Sequence, residues 1–374
     1  MRLHEFEGKI LFAQHGIVVP KGQVVYTSDE AIGVAKTLGG SAVVKAQVLV
    51  GGRGRHGGIR LVNSAEAAGV ATGEIMASDI RGEQPAGVLV EERLSIVQEV
   101  YLGITVDGAV GRPAVVVSAK GGVSIEDVAK EHPEAVVMAH MNPLDGMTID
   151  EACDLAKKAG VLSAQAVGEA LCHLCQVFVS CEAIIAEINP LAVLSDGRVI
   201  AADAVVELDD AALFRHPEFK TRAEARFADP TEKQAKSLGM TFVKLDGDIG
   251  LICSGAGLGM ATMDLIGERV RPANFLETGG GITRDLLAQA MRLVLDQPHL
   301  KGVLINLYGG INPIHEGALG IADVMAEGVS VPVVAKALGN FEEQTWTTLS
   351  AAGVTVVKAV ETEKAVAEMW RRVG

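Results

Sequence analysis

Two stretches of this chain combine residue types and spacings suited to handling a charged small molecule. The first begins with Lys45, set in the apolar run Ala42 to Val50, and continues as Gly51-Gly-Arg-Gly-Arg-His-Gly-Gly58 before Ile59 to Val62. Gly52-Arg-Gly-Arg-His-Gly57 formally fits the dinucleotide fingerprint, but that fingerprint needs a strand before it and a helix after it. Strand-like residues follow here, and the Gly-Lys-Ser/Thr ending of a P-loop is missing, so the segment is read as a glycine-rich hairpin. Such a hairpin can fold over a triphosphate, with the backbone N–H groups around Gly52 and Gly54 and the Arg53 guanidinium pointing at the anion, and Lys45 reaching across from the preceding strand. An ordinary flexible turn is the alternative.

The second stretch is Glu187-Ile-Asn189-Pro-Leu191, with Asp203 further on. Each follows an apolar strand, which brings an amide oxygen and a carboxylate side by side. Mg²⁺ takes a few hard oxygen ligands from a protein and keeps phosphate oxygens and waters for the rest. A turn at Asn189-Pro190 and a strand-end cap at Asp203 are the alternatives.

The second half of the chain offers four turns of one kind: Ser254 to Gly259, Thr278 to Ile282, Gly309-Gly310-Ile311-Asn312 and Gly339-Asn340. In a parallel sheet such turns sit at the carboxyl ends of strands, where helix N-termini converge on small anions. Two other signals carry less. Cys172-His-Leu-Cys175 has metal-like spacing but lies in a helical pattern with no second Cys/His pair, so it is read as a buried helix face. His315-Glu316 lies beside the Gly309 turn and is read as part of a first helical turn.

The elements that must position these residues follow from pattern and composition. The chain has 374 residues, 49% of them hydrophobic, which is enough for two sizeable cores. Its 43 glycines and 4% aromatics suit α/β layers with many tight turns. A net charge of −14 without a basic stripe argues against nucleic-acid binding. The notable uncharged stretch Ala170 to Cys181 is far short of the ~20 apolar residues a membrane span needs. The charged start reads without a secretory signal, and five cysteines fit reduced thiols in the cytoplasm.

Helices are expected around His4 to His15, Ser28 to Leu38 with Ser28 or Asp29 as cap, Thr148 to Lys158 and Ser163 to Val179. Strands are expected at Ala42 to Val50, Ile59 to Val62, Val88 to Glu91, Val100 to Val106, Pro113 to Ser118, Ala183 to Ile188 and Val199 to Ala202. The charged stretch Phe214 to Lys236 reads as a linker or solvated helix, giving domains 1–236 and 237–374. Beyond it, strands at Ile249 to Cys253, Ala273 to Leu276, Gly302 to Leu307, Val331 to Ala335 and Val354 to Lys358 alternate with helical patterns, which implies a parallel sheet.

Taken together, these segments resemble the NDP-forming acid–CoA ligase family, specifically the β subunits of succinyl-CoA synthetases. The resemblance runs nearly end to end. It is carried by Leu3-His-Glu5, Val44-Lys-Ala-Gln47, Gly51 to Gly54 with Gly57-Gly58, Leu89-Val-Glu91, Glu99 to Gly103, Glu187 to Leu191, Ala212 to Arg215, Leu245-Asp-Gly247, Gly255 to Leu258, Ala273 to Leu276, Gly279 to Gly281 and Gly309 to Ile311. The resemblance implies an α/β chain with an N-terminal ATP-grasp domain followed by a flavodoxin-like CoA-ligase domain. It places Lys45, Gly52, Arg53 and Gly54 on the phosphates of ATP or GTP, and Glu91, Leu94 and Glu99 on the base and ribose side. Asn189 and Asp203 hold Mg²⁺, and Glu187 faces the phosphohistidine loop of an α subunit. That partner carries the main CoA site, in a heterodimer or heterotetramer.

Three positions depart from the family pattern. Ser254 replaces an asparagine, Asn312-Pro-Ile-His-Glu316 replaces Val/Asn-Arg-Cys-Asp, and Ala204-Val205 replaces Gly/Ala-Lys. The first two fall on loops that hold the organic acid, so Ser254 and Gly309 to Asn312 are the expected acid contacts. The acid is then succinate or a related one such as malate or sulfoacetate. A CoA-independent ATP-grasp ligase and a nucleotide-sensing subunit without turnover are the other readings left open.

Overall fold

The structure is a computed structural model describing residues 1–219, 229–267 and 270–374. Residues 220–228 of the expected linker lie outside the described residues. The chain divides into two compact units, Met1–Lys220 and Thr221–Gly374. The division therefore comes earlier than the boundary expected after residue 236. The reason is the helix Pro230–Ser237, whose one buried residue, Ala235, joins Met240, Phe242 and Leu276 in the second unit's core. A helix with one small core residue among charged neighbours leaves little trace in a hydrophobic pattern.

The first unit opens with α1 (Glu5–Gln14) and holds two antiparallel sheets. In the smaller, β1 (Gly22–Val25), β2 (Ala42–Ala46), β3 (Ile59–Val62) and β4 (Val88–Glu92) take the order β1-β4-β2-β3. Helices α2 (Ser28–Thr37) and α3 (Ala65–Met76) contribute Ala31, Ala35, Ala68 and Ile75 to its core. The cap of α2 is Thr27 rather than Ser28 or Asp29. Glu30 returns its carboxylate to the Thr27 N–H at 3.1 Å while the Thr27 hydroxyl accepts the Glu30 N–H, and this reciprocal box fixes the cap three residues before the glutamate.

The larger sheet is built from β5 (Ile96–Asp107), β6 (Arg112–Ser118), β7 (Val136–His140), β8 (Ala183–Leu194), β9 (Val199–Ala201) and β10 (Val205–Leu208). The order is β10-β8-β5-β6-β7, with β9 also on β8. The short helix α4 (Ile125–Glu131) precedes β7, and α5 (Ile149–Lys158) and α6 (Ala164–Ser180) pack together. Leu171, Leu174 and Cys175 of α6 share a core with Leu102, Ile188 and Leu191 of the sheet and Phe12 of α1. Cys175 is thus a core residue on a buried helix face, and burial pushes its thiol pKa up to about 12. Strand β8 does not stop at Ile188 but continues through Asn189-Pro190, whose peptide bond is cis, to Leu194.

In the second unit, β11 (Thr241–Lys244), β12 (Ile249–Cys253), β13 (Asn274–Glu277), β14 (Gly302–Gly309), β15 (Val333–Gly339) and β16 (Thr355–Val356) form one sheet in the order β11-β13-β12-β14-β15-β16. Strands β12 to β16 are parallel, while β11 runs antiparallel along the edge beside β13. Strand β11 escapes the hydrophobic pattern because only Phe242 is buried. Counted from β12, the parallel strands follow the flavodoxin-like order, with the switch point between β12 and β14. Helices Arg284–Leu295, Ile314–Ala326 and Glu342–Ala351 bury residues in the core on one face, and Ala256–Ile266 and Thr362–Val373 do so in the core on the other. Among the described residues no helix is long and apolar enough to cross a membrane.

The carboxyl edge of this sheet is tightly drawn at one place. Gly339 has φ +118°, and a Cβ there would lie 2.2 Å from the Gly309 carbonyl oxygen. Gly339→Ala is expected to lower stability by about 2 kcal/mol or more, through combined backbone strain and overpacking. Gly310→Ala, where the nearest atom lies 3.6 Å away, should stay within about 0.5 kcal/mol. Denaturant midpoints at constant m-value measure both, and equal midpoints would show that the close approach carries no constraint.

Candidate active site

A cleft of about 910 Å³ in the first unit is lined by residues from both of its sheets. It gathers Lys45, Gly52, Arg53, Gly54, Glu91, Leu94, Glu99, Glu187, Asn189 and Asp203, ten positions spread over most of that unit's sequence. The hairpin is as expected: β2 and β3 pair antiparallel, Lys45 opposite Ile59, and a 3₁₀ turn at Arg53–His56 sits between them. Gly52 and Gly57 flank that turn with positive φ, a conformation that favours glycine.

At the floor of the cleft six charges meet. Glu5 and Lys9 project from α1, Lys45 from β2, Arg53 from the hairpin turn, Glu91 from β4, and Asp203 from the segment between β9 and β10. Lys9 Nζ lies 2.8 Å from Glu5 Oε1 and 2.5 Å from Glu91 Oε1. Lys45 Nζ lies 2.8 Å from Glu5 Oε1 and 2.9 Å from Glu91 Oε2. Arg53 Nη2 pairs with Glu5 Oε2 and, at 2.8 Å, with Asp203 Oδ1, while its Nη1 donates to the Ala46 carbonyl. Both lysines also donate to the Ala202 carbonyl. Three cations face three anions, so the cluster is neutral. Balance is required here, because Glu5, Lys9, Lys45, Arg53 and Glu91 are all no more than 8% exposed and an unpaired buried charge is strongly destabilising.

The electrostatics follow from that packing. Burial alone would raise the Glu5 carboxyl, but Arg53, Lys45 and Lys9 outweigh it and hold it well below the usual carboxylate range. Burial likewise works against the charge on Lys45, yet Glu5, Glu91 and Asp203 raise its pKa above the ordinary lysine value. Lys9 goes the other way. Burial, reinforced by the Lys45 charge, lowers it despite Glu5 and Glu91.

These contacts alter two expectations. The Arg53 guanidinium points inward at Glu5 and Asp203 rather than out over the hairpin, because two carboxylates and a carbonyl lie below it. Glu91, expected on the base and ribose side, has both oxygens in ion pairs with Lys9 and Lys45. Leu94, just beyond β4, lines the cleft. Glu99 sits against the loop after β6, where a Cβ on Gly122 would lie 2.1 Å from its Oε2 and the φ of +72° already calls for glycine.

The pair across β8 is aligned by register. Val205 faces Glu187 on one side and Ala201 faces Leu191 on the other, in the same alignment, which puts Asp203 opposite Asn189. Asn189 Oδ1 accepts the Gly122 N–H at 2.7 Å and its amide donates to the Val123 carbonyl. Asp203 Oδ1 accepts from Arg53 and from the Ala204 N–H, both at 2.8 Å. An amide oxygen and a carboxylate on residues set opposite each other are hard donors of the kind Mg²⁺ uses alongside phosphate oxygens. The residues fit that ion. Glu187 is half-buried, and its carboxyl is pushed up by burial and by the Asp203 charge, with the Tyr101 hydroxyl donating at 3.3 Å.

The remaining expected residues belong to the second unit, at the carboxyl ends of β12 and β14, the switch point of its sheet. The Ser254 hydroxyl accepts the Tyr308 N–H at 2.8 Å and donates to the Tyr308 carbonyl at 3.2 Å. Asn312 donates to the Gly280 carbonyl, and the Asn340 side chain donates to Gly310 at 2.8 Å and to Ile311. All four turns are therefore tied along one edge, with Ile311 at the tip 93% exposed. Three helices that start there, after Gly255, Pro313 and Phe341, have no side-chain cap, whereas Thr283 caps the helix Arg284–Leu295.

Lys9 was not expected in the site, and Glu5 entered only as part of a family motif. The available signal was the oppositely charged i, i+4 pair Glu5 and Lys9, which with Glu7 between them reads equally well as a solvated surface group. Tyr101 likewise entered only within the family segment Glu99 to Gly103, and Gly122 was missed because a loop glycine carries no spacing signature.

The two units thus pair a cation- and carboxylate-lined cleft between antiparallel sheets with a flavodoxin-like sheet bearing an anion-suited edge. Comparison with known proteins gives these parts names. Residues 2–193 match the ATP-grasp domain family and residues 252–370 the CoA-ligase family. The chain is 40% identical over 374 residues to the GDP-forming succinate–CoA ligase subunit beta of Thermus thermophilus, covering 99% of both chains. It is 40% identical over 369 residues to the ADP-forming subunit beta of Natronomonas pharaonis, covering 96% of each. In fold it is similar to ATP citrate lyase of Methanothrix soehngenii, with a TM-score of 0.78 and 18% identity over 99% of both chains. This chain belongs to the family of succinate–CoA ligase β subunits, which are NDP-forming ligases.

Acid should dissolve the charge cluster in a defined direction. Because the folded-state pKa of Glu5 is depressed, its contribution is fully present above the unfolded value of about 4.3 and is lost as pH falls through the folded value below it. Stability measured against pH should therefore fall steeply below about pH 4 in the native chain, and less steeply in Glu5→Gln, which starts from lower stability at pH 7. Lys9→Met should cost about 3–5 kcal/mol at pH 7 by leaving buried carboxylates short of a cation. Equal acid limbs, or a Lys9→Met chain as stable as the native one, would remove the cluster from its structural role.

Proposed function

We propose that this chain is the nucleotide-handling subunit of an NDP-forming acid–CoA ligase. It works with an α subunit that carries a phosphorylatable histidine and the main CoA site. The single observation that carries this is the convergence of Lys45, Arg53, Asn189 and Asp203 on one cleft in a chain of this family. In the reaction, the γ-phosphoryl group of ATP or GTP passes to the partner's histidine, releasing NDP. It then moves to the acid carboxylate, and CoA thiolate displaces phosphate from the acyl phosphate to give the thioester.

The chain contributes binding and positioning rather than a covalent nucleophile. Lys45 offers positive charge to the phosphates from a site where Glu5 and Glu91 fix its place. Arg53 adds charge beneath the hairpin, and Gly52 and Gly54 let backbone approach the anion. Glu99 and Leu94 bound the base and ribose end. Asn189 and Asp203 would hold Mg²⁺, which when bound neutralises charge on phosphate oxygens. Glu187, a half-buried carboxylate at the same cleft, suits accepting a hydrogen bond from an incoming imidazole N–H and so orienting it. Ser254 and Gly309 to Asn312 border the acid. The Ser254 N–H is taken by the Asn306 carbonyl, so the backbone N–H groups of the Gly309 to Asn312 turn are the ones that suit a carboxylate.

One observation favours an acid other than succinate. Ser254 directs its hydroxyl, as both acceptor and donor, to the Tyr308 backbone, so it does not present the open amide that family members place there. The neighbouring Gly309 to Asn312 turn then carries more of the acid recognition. Because succinate, malate and sulfoacetate are all dianions, it is malate's hydroxyl or sulfoacetate's sulfonate, not charge, that would set them apart from succinate. CoA-dependent NDP release by the chain co-purified with its α partner, over succinate, malate, sulfoacetate and acetate, tests this. Malate or sulfoacetate should exceed succinate in kcat/KM by tenfold or more, a difference of about 1.4 kcal/mol. A clear succinate preference would leave Ser254 as neutral change, and no CoA-dependent turnover with any acid would overturn the ligase reading. In the same assay Asp203→Asn should cut turnover by about 10²-fold or more.

A further inference from the structure

The function proposed above gives Arg53 to the nucleotide phosphates, and the inference here rests on that reading of the cleft while reassigning this one residue. Arg53 is 8% exposed and three of its five guanidinium N–H groups are taken by the protein: one on Nη1 by the Ala46 carbonyl, and both on Nη2 by Glu5 Oε2 and Asp203 Oδ1. Asp203 is gripped from one side only. Its Oδ1 takes both the Arg53 N–H and the Ala204 N–H, while Oδ2 has no protein partner among the described residues. The backbone around it is fixed as well. Lys9 and Lys45 both donate to the carbonyl of Ala202, and Ala204 packs under Gly8 of α1, where an added Cβ would lie 3.2 Å from the Ala204 methyl. A carboxylate anchored through one oxygen on an immobile backbone presents the other oxygen in a set direction, as outer-shell hydrogen bonds do for metal ligands generally.

We propose that Arg53 is a positioning residue for Asp203. Held in place by Glu5, it fixes Asp203 Oδ1 so that Oδ2 faces Asn189 across the strands as a cation ligand, and its effect on nucleotide binding passes through the metal rather than through direct phosphate contact. Glu5 is part of the same device, because a guanidinium shared between two carboxylates is held against the pull of either one.

Direct binding measurements separate the two roles. The full chain is titrated calorimetrically with ATP, and in parallel with GTP, once in EDTA and once in excess Mg²⁺. The readout is the gain in affinity that Mg²⁺ confers. Arg53→Lys keeps the charge and loses the planar fork. Its affinity for the nucleotide in EDTA should stay within about twofold of the native chain, the limit expected for sites that do not interact. Its Mg²⁺ gain should shrink by about tenfold or more, the usual cost of losing an outer-shell partner. Asp203→Asn should give the same profile, and adding Arg53→Lys to Asp203→Asn should cost nothing further in Mg²⁺. A tenfold loss in EDTA for Arg53→Lys would make Arg53 a phosphate ligand and overturn the inference while leaving the cleft's function standing. So would an intact Mg²⁺ gain, or additive losses in the double variant. Should Arg53→Lys melt early, the titrations are run below its melting onset, and Glu5→Gln, which unties Arg53 without touching Asp203, must show the same shrunken Mg²⁺ gain; a full gain there overturns the inference. A native chain that binds neither nucleotide under either condition would overturn the reading of the cleft itself.

Discussion

Glu5 is the point on which the first unit depends. One carboxylate, almost fully removed from water, takes Lys9 and Lys45 on one oxygen and Arg53 on the other, and so links a helix, a strand and a hairpin turn. Burying so many ions is expensive, and the cost is recovered only when every partner is in place at hydrogen-bonding distance. The same demand fixes geometry. Each cation is tied to more than one anion, so none can swing away without exposing a buried charge. The cleft floor therefore exists as a preorganised surface, which is the property that positioning catalysis needs.

The second unit solves a different problem by topology. Parallel strands send every strand-to-helix turn to one edge, and the reversal of strand order between β12 and β14 puts the switch point there, the place where open α/β sheets bind ligands in general. Helix starts without side-chain caps then leave first-turn N–H groups to meet an anion. Close packing governs this edge, as where the strand ends Gly309 and Gly339 pair so tightly that a side chain on Gly339 would not fit.

Much of this was legible in the sequence. Runs such as Val303 to Leu307 and the glycine turns after them mark the parallel sheet, and the alternation around Lys45 marks the hairpin. Asn189 and Asp203 could be picked out because each follows an apolar run, although β8 in fact continues past Asn189 to Leu194. What stayed hidden has physical reasons. Strand β11 and the helix Pro230–Ser237 each bury a single residue, too little to stand out from a polar segment. The inward turn of Arg53 depends on carboxylates far away in sequence, Glu5 and Asp203, and no local pattern announces a partner that only the fold brings near. Lys9 looked like a surface charge for the same reason. The cap of α2 falls at Thr27, one or two residues before the expected Ser28 or Asp29, because all three are good caps and only Glu30 selects among them.

The asparagine ties along the second unit's edge bear on how such a site can change over evolutionary time. Asn312 leans on Gly280, Asn340 on Gly310 and Ile311, and Ser254 on Tyr308, so each turn borrows its shape from another. A lineage that alters one turn alone leaves a neighbour without its hydrogen-bond partner. The edge is inherited as a block, and a graft that moves one of these turns into another chain must carry the interlocked turns together.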